Sequence, residues 1–318
     1  MGVIPRTAAG WIKIRPVRPG ATVALVAPAS PFPRAEFERG VAELQRLGFN
    51  PTWDERIFDV EGFVAGTPAV RASSLRDALR NPDVDAIMAV RGGYGSVQIL
   101  PLTDATEWPS RRTAFIGYSD VTSLHTVINQ VAGLVTIHGP MLDGRLARGP
   151  EAYDPASFLT ALLDHEVGDL VGPELVVLHE GAEVSAPVFG GTLTQLVASL
   201  GTPYAFAPPQ GHVLFLDEVG ERPYRLDRML TQLKFAGVLA RASAIVCNEM
   251  PKCDEPSGSP TARDTVRAAL EGFPGPVLFG LPSGHATSET VTLPFGVRTR
   301  VVSGARPRLI VEEAAASD

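Results

Sequence analysis

Between residues 21 and 145 the chain alternates between apolar runs and amphipathic helical segments, and this alternation limits the folds open to it. Runs typical of buried strands, such as "TVALVAP" and "AIMAV", are separated by helical segments such as "RAEFERGVAELQRLG". Strands that alternate with helices, several of which end at glycine, indicate a doubly wound parallel sheet. We therefore expect an N-terminal α/β domain over residues 1–145.

The rest of the chain follows a different pattern. Residues 146–185 mix glycine, proline and acidic residues around one short helical segment, and we predict a linker region there. Residues 186–318 contain three helical segments and then several β-rich runs without helices between them, ending with "RTRVVSG" and "RPRLIVEE". This arrangement predicts a smaller C-terminal domain with a mixed rather than doubly wound sheet.

Composition excludes several classes of function. The chain has 318 residues, of which 45% are apolar, so it can bury the cores of two domains. Its net charge is −7 and it has no run of basic residues, which argues against a nucleic-acid or membrane partner. The spacing of Cys247 and Cys253 fits neither a redox pair nor a zinc site. We expect a small-molecule partner, a reducing compartment, no metal and no cofactor.

Two loops follow predicted strands, at the sheet edge where ligands of such folds collect. The first, "RGGYGS" at residues 91–96, contains three glycines and raises the possibility of a phosphate site. However, neither of the usual phosphate-loop spacings, GxGxxG or GxxxxGK[ST], occurs there. The second, "IGYSDV", places Ser119 between a strand and a helix.

Ser119 has two interpretations at this stage. A serine that joins a strand directly to a helix has the geometry of a nucleophile elbow, but the sequence is G-x-S-D rather than G-x-S-x-G. The alternative is that Ser119 or Asp120 only caps the helix. A nucleophile needs a base, and the two histidines in suitable loops are His138 and His285, although each one taken alone fits a structural role better.

A pair of acidic residues, Asp217 and Glu218, ends the apolar run "HVLFLDEV". Adjacent strand residues point to opposite faces, so only one of the two can serve a given pocket. Composition alone favours an acidic surface, on which neighbours such as Arg225 form ion pairs worth less than about 1 kcal/mol each.

Taken together, an ordered set of motifs resembles the LD-carboxypeptidase family, which includes muramoyltetrapeptide carboxypeptidases and microcin C immunity peptidases. The motifs are "VALVAPAS", "AVRGGYGS", "FIGYSDVTSLH", "HGPM", "GGTLTQLVASLGTPY", "LFLDEVGERPYRLDRMLTQLKFAGVL", "GLPSGHA" and "VTLPFG". The resemblance implies a flavodoxin-like N-terminal domain, a C-terminal domain with a β-barrel-like core, and a homodimer.

Carried onto this sequence, the family's site implies that Ser119 is the nucleophile and His285 the base. The family usually has "LED" where this chain has "LDE", so the acid is either Asp217 or, after a register shift, Glu218; strand alternation favours Asp217. The resemblance also implies an oxyanion hole. We expect its donors to be the N–H of Asp120 and an N–H of the Gly92 and Gly93 turn, so that "RGGYG" serves a transient oxyanion rather than a phosphate.

The family's best-known substrate is murein tetrapeptide, from which it removes the terminal D-Ala in the cytoplasm during cell-wall recycling. The free carboxylate of such a substrate needs a subsite, for which the candidates are Arg91 and Arg225, with Tyr94 and Tyr224 as walls. Surface ion pairs are the alternative for both arginines. Two other functions remain open: an immunity-type peptidase that cleaves a nucleotide-like toxin, and a nucleotide or sugar-phosphate binding protein.

Overall fold

A computed structural model describes residues 10–170 and 175–318. Residues 1–9 of the predicted N-terminal domain and residues 171–174 of the predicted linker lie outside the described residues. None of the helices in the described ranges is long and apolar enough to cross a membrane.

The first part of the chain forms the predicted alternation of strands and helices. The strands are β1 (Thr22–Val26), β2 (Asn50–Thr52), β3 (Ala86–Ala89), β4 (Ala114–Gly117) and β5 (Thr136–His138). The helices are α1 (Arg34–Arg46), α2 (Pro68–Arg80), α3 (Trp108–Arg111) and α4 (Thr122–Val127). Buried Phe37 and Leu44 form the apolar face of α1, and the Thr67 side chain caps α2 by accepting a hydrogen bond from the Val70 N–H.

The second part is richer in strands. Its helices are α5 (Pro155–Ala161), α6 (Leu193–Ser199), α7 (Pro223–Phe235) and α8 (Ala262–Ala269). Its strands are β6 (Gly168–Leu170), β7 (Val176–His179), β8 (Val184–Thr192), β9 (His212–Asp217), β10 (Ala242–Asn248), β11 (Val277–Leu281), β12 (Leu293–Phe295), β13 (Arg298–Val302) and β14 (Arg308–Val311).

The N-terminal sheet has six strands in the order β2-β1-β3-β4-β5-β12. Its first five strands are parallel and have the flavodoxin-like order, so the predicted doubly wound fold is confirmed. The sixth strand, β12, comes from the C-terminal part of the chain and pairs antiparallel with β5. It therefore ties the two halves of the molecule together.

The C-terminal sheet has eight strands in the order β6-β14-β13-β8-β9-β10-β11-β7. Strands β8 to β11 are parallel and the outer strands are antiparallel, as expected for a mixed sheet. Within the described residues its edge strands β6 and β7 do not pair with each other, so the sheet is open and is not a closed barrel.

The region predicted as a linker contains regular structure. Helix α5 and strands β6 and β7 all lie within residues 146–185, and both strands pair with strands of the C-terminal part. The C-terminal sheet, predicted to belong to the smaller domain, has more strands than the N-terminal one. The exact divisions at residues 145 and 185 stay predictions.

Candidate functional site

Ser119 lies at a sharp turn between β4 and α4. Strand β4 ends at Gly117, Tyr118 is extended, and Ser119 adopts a left-handed backbone conformation with φ of 68°. A non-glycine residue in this region of φ is uncommon and strained. The turn leaves the serine side chain half-buried at the beginning of the helical segment. This is the strand-to-helix elbow expected from the sequence.

The glycine-rich loop packs directly against this serine. A Cβ atom on Gly92 would lie 2.7 Å from the Ser119 Cβ and 2.9 Å from its Oγ, so only glycine allows the two backbones to approach this closely. The N–H groups of Gly92 and Gly93 donate to no other residue in the part of the chain that the structure describes. Within those residues both N–H groups therefore keep an unused hydrogen-bond donor.

Asp120 links the elbow to the same loop. Its carboxylate accepts hydrogen bonds from the Ser96 N–H at 2.8 Å and from the Gln195 Nε2 at 3.1 Å, and its carbonyl accepts one from the Ser96 hydroxyl. Burial raises the pKa of Asp120, and the hydrogen bonds from Ser96 offset part of that effect. Asp120 therefore ties the elbow to the glycine-rich loop through hydrogen bonds. Its backbone N–H lies at the start of the turn.

Asp217 and His285 form the second half of the site. Asp217 is fully buried at the end of β9, and its Oδ2 lies 2.8 Å from the Nδ1 of His285. Its Oδ1 accepts from the backbone N–H of His285 at 2.9 Å. Asn248 and Thr192, at the ends of the neighbouring strands β10 and β8, also donate to this carboxylate, at 2.6 and 3.1 Å. Asp217 is thereby fixed in one orientation toward the histidine.

The two groups shift each other's protonation in opposite directions. Burial works to raise the pKa of Asp217, but the charge of His285 and its hydrogen bonds outweigh burial and hold the pKa below its usual value. Burial works to lower the pKa of His285, but the charge and hydrogen bond of Asp217 raise it above the ordinary 6.5. Asp217 is therefore an anion that favours the imidazolium form of His285.

Glu218 faces a different environment. Its carboxylate accepts from the N–H and hydroxyl of Thr194, and from the N–H of Val219. Burial raises its pKa, and these hydrogen bonds offset only part of the rise. Neighbouring residues at a strand end point to opposite sides, and in this structure it is Asp217 that contacts His285.

Tyr118 connects the elbow that carries Ser119 with the Asp217–His285 pair. Its ring makes an edge-to-face contact with the ring of His285, with 5.1 Å between the centroids. The residue next to the serine therefore contacts the histidine, although Ser119 and His285 share no hydrogen bond in the described ranges. His285 keeps 18% of its side chain exposed, so its ring can be reached from solvent.

His138, the other histidine considered from the sequence, lies beneath the site. It is fully buried on β5, and its Nδ1 lies 3.3 Å from the hydroxyl of Ser283. Burial lowers its pKa to about 4, so it is neutral at ordinary pH. It packs between Phe215 and Phe295 rather than reaching a ligand.

The four residues expected to contact the substrate are more scattered. Arg91 lies 3.5 Å from Asp143, and Arg225 donates to Glu221, so both arginines have carboxylate partners. Tyr94 and Tyr224 are exposed. Within the described chain, none of these four residues forms a hydrogen bond with Ser119, Asp217 or His285. Their roles stay predictions.

Several residues of the site were not identified from the sequence. They are Tyr118, Thr192, Asn248, Glu249 and Arg145. Thr192 and Asn248 end the parallel strands β8 and β10 and Glu249 follows β10, and polar residues at strand ends are a signal that could have found them. Glu249 accepts hydrogen bonds from Thr287 and Ser288 in the loop that carries His285.

A cavity of about 530 Å³ borders this loop. Its lining residues include Glu249, Lys252, Arg263, Thr287 and Ser288, and none of the four predicted substrate contacts.

Among residues 10–170 and 175–318, no three His, Cys, Asp or Glu side chains are grouped so that they could hold a metal ion.

Comparison with known proteins identifies the family of the chain. The family model for the LD-carboxypeptidase N-terminal domain matches residues 23–139, and that for the C-terminal domain matches residues 185–301. The chain is 31% identical to the murein tetrapeptide carboxypeptidase of Pseudomonas aeruginosa over 301 residues, which cover 90% of this chain and 94% of that protein.

Two solved structures share the fold. The muramoyltetrapeptide carboxypeptidase from Oxalobacter formigenes is 27% identical, with a TM-score of 0.81 over 92% of this chain and all of that one. The microcin C7 self immunity protein MccF, in complex with aspartyl sulfamoyl adenosine, is 25% identical, with a TM-score of 0.87 over 96% of this chain and 99% of that one. The chain belongs to the LD-carboxypeptidase family and is a peptidase.

Proposed function

We propose that this protein is a serine LD-carboxypeptidase that removes the terminal D-Ala from murein tetrapeptide, L-Ala-D-Glu-diamino acid-D-Ala, in cytoplasmic cell-wall recycling. The observation that carries the proposal is the pairing of His285 with a buried Asp217, and the contact of His285 with Tyr118, which precedes the serine of the strained elbow. The similarity to murein tetrapeptide carboxypeptidases supports the choice of substrate.

In the proposed mechanism Ser119 attacks the carbonyl carbon of the last peptide bond. His285 takes the serine proton through its Nε2, because its Nδ1 is held by Asp217. The tetrahedral intermediate then collapses, the C–N bond breaks, and His285 gives the proton to the departing amine of D-Ala. A water molecule, activated by His285 in the same way, releases the remaining tripeptide from Ser119.

The developing negative charge on the carbonyl oxygen needs donors that are already in place. Gly92 packs against Ser119, the N–H groups of Gly92 and Gly93 donate to no residue within the described ranges, and the N–H of Asp120 lies in the turn that begins at Ser119. We assign the oxyanion hole to Asp120 and to one of the two glycines. This role gives the loop "RGGYG" a function in the reaction without a phosphate.

The proposal is tested by incubating the purified protein with murein tetrapeptide, without added metal, and measuring free D-Ala. We expect release of D-Ala and tripeptide by the wild type. A matched tetrapeptide that ends in L-Ala serves as the control, and we expect it to be cut much more slowly. Failure to release D-Ala from the first substrate contradicts the proposed function.

An immunity-type activity is the second candidate, because the MccF complex with aspartyl sulfamoyl adenosine superposes on this chain with the higher TM-score. The same assay with aspartyl sulfamoyl adenosine separates the two. Release of aspartate without cleavage of the tetrapeptide would favour the second candidate.

We also expect a homodimer, which light scattering of the purified protein measures directly.

The pH dependence follows from the state of His285. It must be neutral to take the serine proton, and Asp217 raises its pKa above the ordinary 6.5. We therefore predict that kcat/KM falls as the pH drops, with the midpoint of this acid limb above 6.5. A profile measured from about pH 5 to about pH 9 checks this. A midpoint below 6.5 would show that burial, and not Asp217, dominates.

A further inference from the structure

Arg145 is a buried cation that contacts the loop carrying His285. It is only 5% exposed and has no carboxylate partner within the described residues. Its Nη2 donates to the carbonyls of Gly284 at 2.9 Å and Ala286 at 2.8 Å, and its Nη1 donates to those of Ala152 and Ser288. The planar fork of a guanidinium is suited to holding several oxygens in fixed directions.

The hydrogen bonds from Arg145 include two to the carbonyls of the residues on either side of His285. The peptide group between Gly284 and His285 accepts from Arg145 through its carbonyl and donates to Asp217 through its N–H. That peptide group is therefore held between two buried, oppositely charged side chains.

The following peptide groups are held in a similar way. The carbonyl of His285 accepts from Asn248. The next carbonyl, that of Ala286, accepts from Arg145, while the N–H of the same peptide group, on Thr287, donates to Glu249. Arg145 is the member of this set that comes from the N-terminal part of the chain, which also carries Ser119.

We infer that Arg145 is a positioning residue, whose guanidinium fixes the 284–288 loop so that His285 is held between Asp217 and Ser119. The inference rests on the proposed role of His285 as the base. Arg145 does not touch the reacting atoms and acts through the direction of the histidine ring. Catalytic groups displaced by about 1 Å lose on the order of 100-fold in rate.

The test compares two substitutions. Arg145→Met removes all the donors at similar length, and Arg145→Lys keeps the charge but loses the fork. We expect kcat to fall by roughly 100-fold in the first and by roughly 10-fold in the second, with little change in KM. Amide hydrogen exchange in residues 284–288 should be faster in both variants, because the carbonyls lose their shared donor.

Arg112 provides the matched control. Its guanidinium also donates to backbone carbonyls, those of Lys13, Ile14 and Ser317, and among the described residues it has no hydrogen bond to the site. Arg112→Lys and Arg112→Met should leave kcat and exchange in residues 284–288 unchanged. If the Arg145 variants match the Arg112 variants in both measurements, the inference is wrong. If Arg145→Met does not fold, Arg145→Lys decides alone.

A further readout does not depend on the substrate. In Arg145→Lys the charge is kept, so a looser contact with Asp217 should lower the pKa of His285 toward its ordinary value, as followed by NMR of labelled histidines. An unchanged titration contradicts the inference. The charged and titratable groups around the ring are Asp217, Glu218, Arg145, His138 and Tyr118. If the wild type fails to cut tetrapeptide, the proposed function fails, whereas this titration and the exchange data still decide the role of Arg145.

Discussion

Ser119→Ala is expected to abolish release of D-Ala, with kcat reduced at least about 10⁴-fold, because it removes the hydroxyl that forms the acyl-enzyme. Tetrapeptide should still bind, since the backbone N–H groups of the Gly92 and Gly93 turn are unaffected. The comparison is made on D-Ala release at saturating substrate. Equal release by the variant and the wild type would rule out a serine mechanism.

Ser119→Gly is the companion variant that separates chemistry from folding. Ser119 has a φ of 68°, where a side chain costs roughly 1–2 kcal/mol that glycine does not. We therefore expect Ser119→Gly to be as inactive as Ser119→Ala but to melt at a higher temperature. If Ser119→Gly is inactive and melts no lower than the wild type, its loss of activity cannot be due to unfolding. A lower melting temperature for Ser119→Gly would contradict the strain argument.

The N-terminal fold could be predicted from the sequence because its signals are local. Strands β1, β3 and β4 are short apolar runs, and the longer helices α1 and α2 have clear amphipathic periods. The order of the strands does not appear in these signals. It came from the family resemblance, and the structure confirms it.

Two strands with long-range partners were harder to place. Strand β8 contains Pro187, Gly190 and Gly191, which are read as breakers, yet it lies in the middle of the C-terminal sheet. The run that includes β12 is visible in the sequence. Its pairing with β5, more than 150 residues earlier, is not. Such pairings depend on tertiary contacts, which local sequence patterns do not contain.

The residues of the site also divide into those that the sequence predicts and those that it does not. Ser119, Asp217 and His285 occupy loops and strand ends where chemistry is expected, and their assignment used the order of the family motifs. Arg145 gave no such signal. Its importance comes from carbonyl oxygens of residues 284–288, and backbone acceptors leave no trace in a sequence.

Asp217→Asn should be almost as damaging as the loss of the serine, with kcat reduced about 10⁴-fold, because the histidine loses the anion that fixes its tautomer and stabilises its charged form. Asparagine also carries an NH₂ group into a position that now accepts from His285, Asn248 and Thr192. The readout is kcat for D-Ala release, with circular dichroism to show that the variant folds.

Glu218→Gln is the matched control, because it changes a neighbouring buried carboxylate in the same way. In the described part of the chain the Glu218 carboxylate accepts from Thr194 and Val219 and from no other residue, so its loss should lower stability by about 1–3 kcal/mol and change kcat by less than about 10-fold. The opposite result, an inactive Glu218→Gln with an active Asp217→Asn, would mean that the strand end shifts by one residue during the reaction. Strand β9 argues against such a shift, since Asp217 is paired in register with Thr192 of β8, and the shift would break this pairing together with the two hydrogen bonds that Asp217 accepts from His285.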